Sequence, residues 1–274
     1  MPVLYIVATP IGNMEDMTLR AVRVLKEVGL IAAEDTRKTK NLLNKYSINT
    51  PLTSYYEHNK LSKLDGILQT LEIKDVALVS SAGMPGISDP GYELVKAALQ
   101  KKYKVVPVPG ASAITAALAA SGLPTDSFLF LGFLPPRQAA RRRALQKHAD
   151  IASTLITLEA PHRLRDTLDD MLATLGDRQI AVCRELTKIH EEIFRGAIAE
   201  ALAYFVFPRG EFTLVIEGKK ESTALLVTDE IKKQLKELKQ SGSSARTAIG
   251  QIMSQTKLNR KELYQAWLRQ DKAE

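Results

Sequence analysis

Short apolar runs alternate with longer amphipathic stretches along the chain, and this rhythm predicts an α/β protein. Runs rich in Val, Ile, Leu and Ala fall at residues 3–8, 30–33, 76–80, 105–108, 128–131, 154–158, 179–184 and 212–217. Their length and composition are those of largely buried strands. Between them, apolar residues recur every three or four positions. Over 18–28, Leu19, Val22, Leu25 and Val28 share one helical face, with Thr18 placed to cap it. Residues 61–71, 92–101 and 164–175 follow the same pattern. Strand and helix periods in alternation predict a largely parallel sheet wrapped by helices.

The rhythm changes twice. Pro124 to Pro136 interrupts the first series and leads into a basic helix start, so a domain boundary is expected near 123–127. After about residue 220 only helical patterns remain, at 229–240, 243–254 and 259–269, with Ser243 and Asn259 as expected caps and Gly242 as a stop. A chain of 274 residues exceeds what one core usually organises. The expected organisation is an α/β domain over 1–123, a second over 124–220, and a helical tail over 221–274 that is a candidate RNA-binding appendage.

Gly and Pro gather where strands hand over to helices, at 9–13, 81–91 and 107–110. Ligands of open α/β sheets bind beyond the carboxyl ends of the strands. One such loop is most simply a tight turn; three at one sheet edge point to a pocket lined by bare backbone. The segment 106–114 runs straight into an alanine-rich helix whose free N–H groups would favour an anion such as a carboxylate. No G-x-G-x-x-G follows the first strand, and neither a P-loop nor an H-E-x-x-H motif occurs. With His58, His148, His162 and His190 scattered, no metal site is expected.

Charge adds a partner. Lys and Arg number 38 against 31 Asp and Glu, a net +7 with a pI near 9.3, a mild sign of a phosphate-bearing ligand. Arg137, Arg141, Arg142, Arg143 and Lys147 form one run without an intervening acid, which reads either as an RNA contact or as a solvated helix face. The tail offers Arg246, Lys257, Arg260, Lys261 and Arg269 with Tyr264 and Trp267. Such a mixture suits stacked single-stranded RNA, although Leu263, Trp267 and Leu268 also suit a small helical core, where Trp267 is placed here. The single cysteine, Cys183, lies in an apolar strand and is expected to be a buried thiol. No secretory leader is read at the start and no apolar stretch is long enough for a bilayer, so a cytosolic protein without membrane association is expected.

Several segments together carry a resemblance. Ala8-Thr9-Pro10-Ile11-Gly12-Asn13, Ser80–Gly91 and Val106–Ile114 resemble the tetrapyrrole-methylase superfamily of S-adenosyl-L-methionine methyltransferases. Ala33-Glu34-Asp35-Thr36-Arg37, Ser88-Asp89-Pro90-Gly91, Leu131-Gly132-Phe133-Leu134-Pro135, Glu159-Ala160-Pro161-His162-Arg163, Arg184-Glu185-Leu186-Thr187-Lys188 and Gly210-Glu211-Phe212-Thr213 resemble its bacterial branch that methylates a cytidine ribose 2′-oxygen in 16S ribosomal RNA. The similarity runs from residue 3 to about 218. Two positions depart from it: Met84 stands where the superfamily has Asp, and Ser81 where the ribosomal branch has Asp.

The resemblance implies two α/β/α domains with the cofactor cleft between them, plus a small C-terminal helical extension. It implies S-adenosyl-L-methionine held by Pro10, Ser80, Met84, Ile87, Ser112 and Ala113 from the first domain and by Leu158, Ala160, Leu186 and Thr213 from the second. A ribose hydroxyl is a weak acid, so a proton acceptor is needed. Glu34 and Asp35, just past the second strand, are the catalytic candidates, with Asp35 equally suited to cap the following helix. Arg37, Arg137, Arg141, Arg142, Arg143, His162, Arg163 and Lys188 are the candidate substrate contacts. The implied partners are 16S rRNA or the small ribosomal subunit and a second copy of the chain. Two other functions fit the same scaffold: methylation of a corrin-like small molecule, and RNA binding without catalysis.

Overall fold

The computed structural model of the protein describes residues 2–220, 228–256, 258 and 260–269. In chain order the elements are β1 (Val3–Val7), α1 (Leu19–Glu27), β2 (Leu30–Ala33), α2 (Thr36–Lys45), β3 (Leu52–Ser54), α3 (Lys60–Ile73), β4 (Val76–Val79), α4 (Tyr92–Gln100), β5 (Lys104–Val108) and α5 (Ala113–Ser121). They continue with β6 (Phe128–Phe133), α6 (Gln138–Gln146), β7 (Thr154–Glu159), α7 (Leu164–Leu175), β8 (Gln179–Arg184), β9 (Glu192–Ala197), α8 (Ile198–Tyr204), β10 (Phe212–Ile216), α9 (Asp229–Gln240), α10 (Ala245–Gln255) and α11 (Arg260–Arg269).

All eight expected strands form, and the α/β class holds. The first sheet has the order β3-β2-β4-β1-β5 and is parallel throughout. Every residue of β4 is buried, as a strand covered by helices on both faces requires. Alternation divides the side chains between two cores. Val7, Leu25, Ile31 and Leu42 pack beneath α1 and α2, while Leu4, Ile6, Ile67 and Leu94 pack beneath α3 and α4.

The second sheet, β6-β7-β10-β8-β9, corrects the expectation of parallel pairing. Only β6 and β7 run parallel; β7–β10, β10–β8 and β8–β9 are antiparallel. Antiparallel neighbours need only a short link, and residues 185–191 provide one between β8 and β9. Neither β3 nor β9 shows in the apolar pattern, because Leu52-Thr53-Ser54 is short and polar and Glu192–Ala197 carries Glu and Arg. Both are edge strands, where burial no longer dictates composition.

One face of the second sheet packs with α6, α7 and α8 through Leu145, Leu168, Met171 and Ile198. Its other face is covered by α5: Ala117 and Leu118 lie on Ile156, Ala181, Cys183 and Val215. This helix precedes the expected boundary at 123–124, yet its side chains serve the second sheet. Its small residues let the backbone sit close to the strands. Both sheets therefore lie in one compact unit, Met1–Lys219.

The second compact unit, Lys220–Glu274, holds α9, α10 and α11 around Leu235, Ile249, Ile252, Leu263 and Trp267. Trp267 is 7% exposed, with the Lys239 ammonium 5.1 Å from its ring centre. Ser244 caps α10 by accepting from the Thr247 N–H, one residue beyond the expected Ser243. The expected cap Asn259 and the cation Lys257 lie outside the described residues, as do the side chains of Lys261 and Arg269. No helix among the described residues is long and apolar enough to cross a membrane.

Candidate functional site

Parallel strands deliver their following loops to one edge, so the three Gly/Pro segments of the first half meet there. Thr9, after β1, and Gly83, after β4, exchange backbone hydrogen bonds of 2.9 and 3.0 Å. The Thr9 hydroxyl donates to the Ser80 carbonyl at 3.2 Å, and the Ser80 hydroxyl donates to the Ala82 carbonyl at 3.1 Å. A Cβ on Gly83 (φ +74°) would approach Ile11 and the Ala111 carbonyl at 3.5 and 3.7 Å, which brings in the third loop. A positive φ is what glycine permits, so the turn depends on that residue. Residues 8–13, 80–91 and 109–112 contain no Lys or Arg and one acid, Asp89.

The second half completes the cleft. Gly12 lies so close to the loop after β8 that a Cβ would fall 2.8 Å from Thr187 Oγ1 and 2.9 Å from the Leu186 carbonyl. The Asn13 N–H donates to Thr187 Oγ1 at 3.0 Å. Gly132, at the end of β6, sits near Ser88, whose hydroxyl would stand 3.5 Å from a Cβ there. Thr213 pairs across the sheet with Leu158 on one side and Cys183 on the other. By alternation, Leu158 and Thr213 share the sheet face that α5 covers, and Leu186 packs against that same cluster. Ser112 and Ala113 start α5, and the Ser112 side chain makes no capping bond. Of the residues expected from sequence at the cofactor, Ser112 and Ala113 thus lie at the start of α5, and Leu158, Leu186 and Thr213 at the sheet face beneath it.

Met84 turns elsewhere. Its side chain packs against the core under α3 and α4, so an apolar residue is accommodated where an acid is usual. Ile87 is 48% exposed. Ala160 donates its N–H to Glu159 at 2.9 Å.

Of the two catalytic candidates, Asp35 is the N-cap of α2, accepting from the Arg37 and Lys38 N–H groups at 2.9 and 3.2 Å. Those bonds, the Lys38 one first, hold its carboxyl below the ordinary range. Glu34 faces the first-half loops, where Oε2 accepts from the Ser81 N–H at 2.8 Å. Beside it stands a carboxyl not selected from sequence. Asp89 is half-buried and pushed up to about 6, first by burial and then by the Glu34 charge, with the Ser80 hydroxyl acting the other way. Its place in Ser88-Asp89-Pro90-Gly91 was the available signal, because an acid in an otherwise uncharged loop has no local partner.

The candidate substrate contacts separate into two groups. Arg37, Arg137, Arg143 and His162 are exposed. Arg141 is not: its side chain is 3% exposed, its Nε donates to Asp170 at 2.6 Å and its Nη1 donates to the Pro136 carbonyl at 3.1 Å. Arg142, half-exposed, binds the other Asp170 oxygen at 2.6 Å. The run has no acid of its own, but α7 brings Asp169 and Asp170 to α6. Arg163 also turns inward, 3.3 Å from the buried Glu159 carboxylate and bonded to the Leu134 carbonyl at 2.6 Å. It ties the loop after β6 to β7. Lys188 bridges Glu185 and Glu211 at 3.0 and 2.9 Å. Burial opposes its charge, but the two carboxylates outweigh this and hold its pKa above the usual value. Glu185 and Thr187 both have positive φ, +49° and +68°, a conformation costly outside glycine, in the loop that faces Gly12. Exposed Lys38, Lys40 and Lys45 join Arg37 on α2, which has no acid, a second basic surface legible in Thr36–Lys45. Cys183 is 1% exposed, and burial pushes its thiol up to about 11, which leaves it an inert core residue.

The model of the Tetrapyrrole (Corrin/Porphyrin) Methylases matches residues 3–202. A protein of Halalkalibacterium halodurans named ribosomal RNA small subunit methyltransferase I is 55% identical over 80% of this chain and 76% of its own length. One of the same name from Synechocystis sp. is 47% identical over 97% of both chains. Among solved structures, a diphthine synthase superposes with a TM-score of 0.65 over 80% of this chain and 91% of its own, at 12% identity, a likeness of fold.

Proposed function

Because the chain belongs to the tetrapyrrole (corrin/porphyrin) methylase family, we propose that it transfers a methyl group from S-adenosyl-L-methionine to a cytidine ribose 2′-oxygen of 16S ribosomal RNA. The rRNA part is supported by relatives that match nearly the whole chain and are named for the small ribosomal subunit. The donor part is carried by one observation: three backbone-lined loops of the first half meet at one rim beside Glu34 and Asp89, without a cation among them. Such a site favours a positively charged sulfur over a phosphate.

When bound, the donor supplies an electrophilic methyl on a cationic sulfur that becomes a neutral thioether. Pro10, Ser80, Ser112 and Ala113 from the first half, with Leu158, Ala160, Leu186 and Thr213 from the second, would hold it; Met84 and Ile87 would contribute backbone. Fixed carbonyl and hydroxyl dipoles of this kind need no reorganisation as charge disappears. The clamp of Gly12 on the loop carrying Thr187 limits water and fixes the approach of the ribose. The hydroxyl proton passes to the carboxyl of Asp89, beside Glu34, and the Asp89 pKa of about 6 matches an acceptor working at neutral pH. Asp35 organises α2, which presents Arg37 and its neighbouring lysines to RNA phosphates. Arg137, Arg143 and His162 serve the same purpose from the second half, while Arg141, Arg142, Arg163 and Lys188 position the surrounding loops.

The protein works in the cytoplasm, where small subunits are assembled, and as a homodimer. The exposed Tyr92 and Leu99 on α4 support the latter, lining an apolar depression of about 420 Å³ with Val95, Lys96 and Gln100. Radiolabelled donor supplied with small subunits, naked 16S rRNA or a corrin substrate tests the activity. Label should enter RNA, at a ribose oxygen. Label in the corrin alone refutes the rRNA reading, and RNA binding without donor affinity refutes catalysis.

A further inference from the structure

The three-helix unit has an open cavity of about 540 Å³ lined by Ala245, Arg246 and Ile249 of α10 and by Arg260 and Tyr264 of α11, a volume within the range of small-ligand sites. From these side chains we infer that the cavity receives one unstacked nucleotide of a single-stranded RNA, its base against Tyr264 and its flanking phosphates on Arg246 and Arg260. The inference rests on the rRNA reading above and gives it a second, separate contact.

Each wall has a distinct role. Ile249 is 2% exposed and belongs to the core of the unit, so the floor is apolar and rigid. Arg260 and Tyr264 stand four residues apart, on one face of α11. Tyr264 is 48% exposed and takes no part in that core, whereas Trp267 is committed to it. The aromatic face left for stacking is therefore the tyrosine. Arg246 and Arg260 are exposed and make no ion pair among the described residues, and α10 contains no acidic side chain. Two exposed guanidinium groups beside a ring on an apolar floor match a base between phosphates. Paired RNA hides its base faces within the stack and offers nothing to the ring.

Fluorescence anisotropy of the full-length protein with a labelled 12-nucleotide single-stranded RNA, and with a duplex of equal length, tests this. Tyr264→Ala should weaken single-strand binding about tenfold, as loss of one base stack does, with the duplex unaffected. Tyr264→Phe should keep wild-type affinity. Arg246→Ala and Arg260→Ala should each flatten the log–log salt dependence by about 0.7. An unchanged melting temperature verifies the fold of these surface variants. Wild-type affinity in Tyr264→Ala, or an equal loss on the duplex, overturns the inference. Label transfer by the unmutated enzyme is measured separately: its absence defeats the methyltransferase reading, while the cavity is judged by binding alone.

Discussion

Replacing Arg141 by Ala should destabilise the fold far more than it perturbs RNA binding. The Asp170 side chain is fully buried. One oxygen is held by Arg141 Nε at 2.6 Å, and the other by Arg142 Nε at 2.6 Å and Gln138 Nε2 at 3.3 Å. Without Arg141, one carboxylate oxygen is left inside the protein without its cation, and the Pro136 carbonyl loses a donor. Breaking a buried pair on one side costs roughly 3–5 kcal/mol. Arg142 remains as a partner at 44% exposure, so the lower end, about 3 kcal/mol, is expected. For a unit of this size that corresponds to a fall in melting temperature of roughly 6–12 °C. Circular dichroism melts of Arg141→Ala and of Arg143→Ala, an exposed neighbour, make the comparison. The double variant Arg141→Met/Asp170→Leu should recover most of the loss, because both charges leave together. A melting temperature for Arg141→Ala within 1 °C of Arg143→Ala (about 0.3 kcal/mol by the same scaling) would refute the reasoning and return Arg141 to the surface.

Asp89 should give methyl transfer an acidic limb. Its carboxyl, raised to about 6 by burial and the Glu34 charge, is ionised above that pH, so the rate should climb through pH 6 and level off. Asp89→Asn should flatten the limb; an unchanged profile removes Asp89 as an acceptor. The raised value also means that folding disfavours the ionised form, so Asp89 adds stability as pH falls from 6 towards its ordinary value. Gly12→Ala would put a methyl group 2.9 Å from the Leu186 carbonyl and push the two halves of the cleft apart. Calorimetry should show donor affinity down by about tenfold, near 1.4 kcal/mol, and wild-type affinity would mean that the clamp plays no part. Leu99→Glu, which places a charge in the apolar depression on α4, should shift sedimentation from dimer to monomer, and an intact dimer would move the interface elsewhere.

Much of the catalytic unit is local in origin and could be read from the chain. Buried strands are apolar runs, helices repeat every 3.6 residues, and Gly or Pro marks the turns where a parallel sheet delivers its loops. That is why residues 9–13, 81–91 and 107–110 are assigned to one rim by sequence alone. Edge strands escape this logic because half their surroundings are solvent: β3 and β9 carry no apolar signature. Pairing direction in the second sheet also depends on which strands become neighbours, a choice made by packing between distant segments.

Charge is where tertiary structure decided most. Arg137 to Arg143 is a single basic run in the sequence, but a helix spreads it around its axis and α7 brings Asp170 to one side. The same residue type therefore becomes an interior brace at 141 and an exposed cation at 143. Asp89 shows the converse: an ordinary loop acid in sequence becomes a half-buried carboxyl beside Glu34, since proximity across β2 and β4 is set by the sheet. Sequence determined which residues the protein possesses at each turn and where the buried strands run. Helix faces were less fully fixed: Leu19, expected on the apolar face of α1, is 90% exposed, while Ala21 and Val24 are buried. The fold alone determined which charges meet, because electrostatic partners lie far apart along the chain and the low-dielectric interior amplifies whatever it brings together.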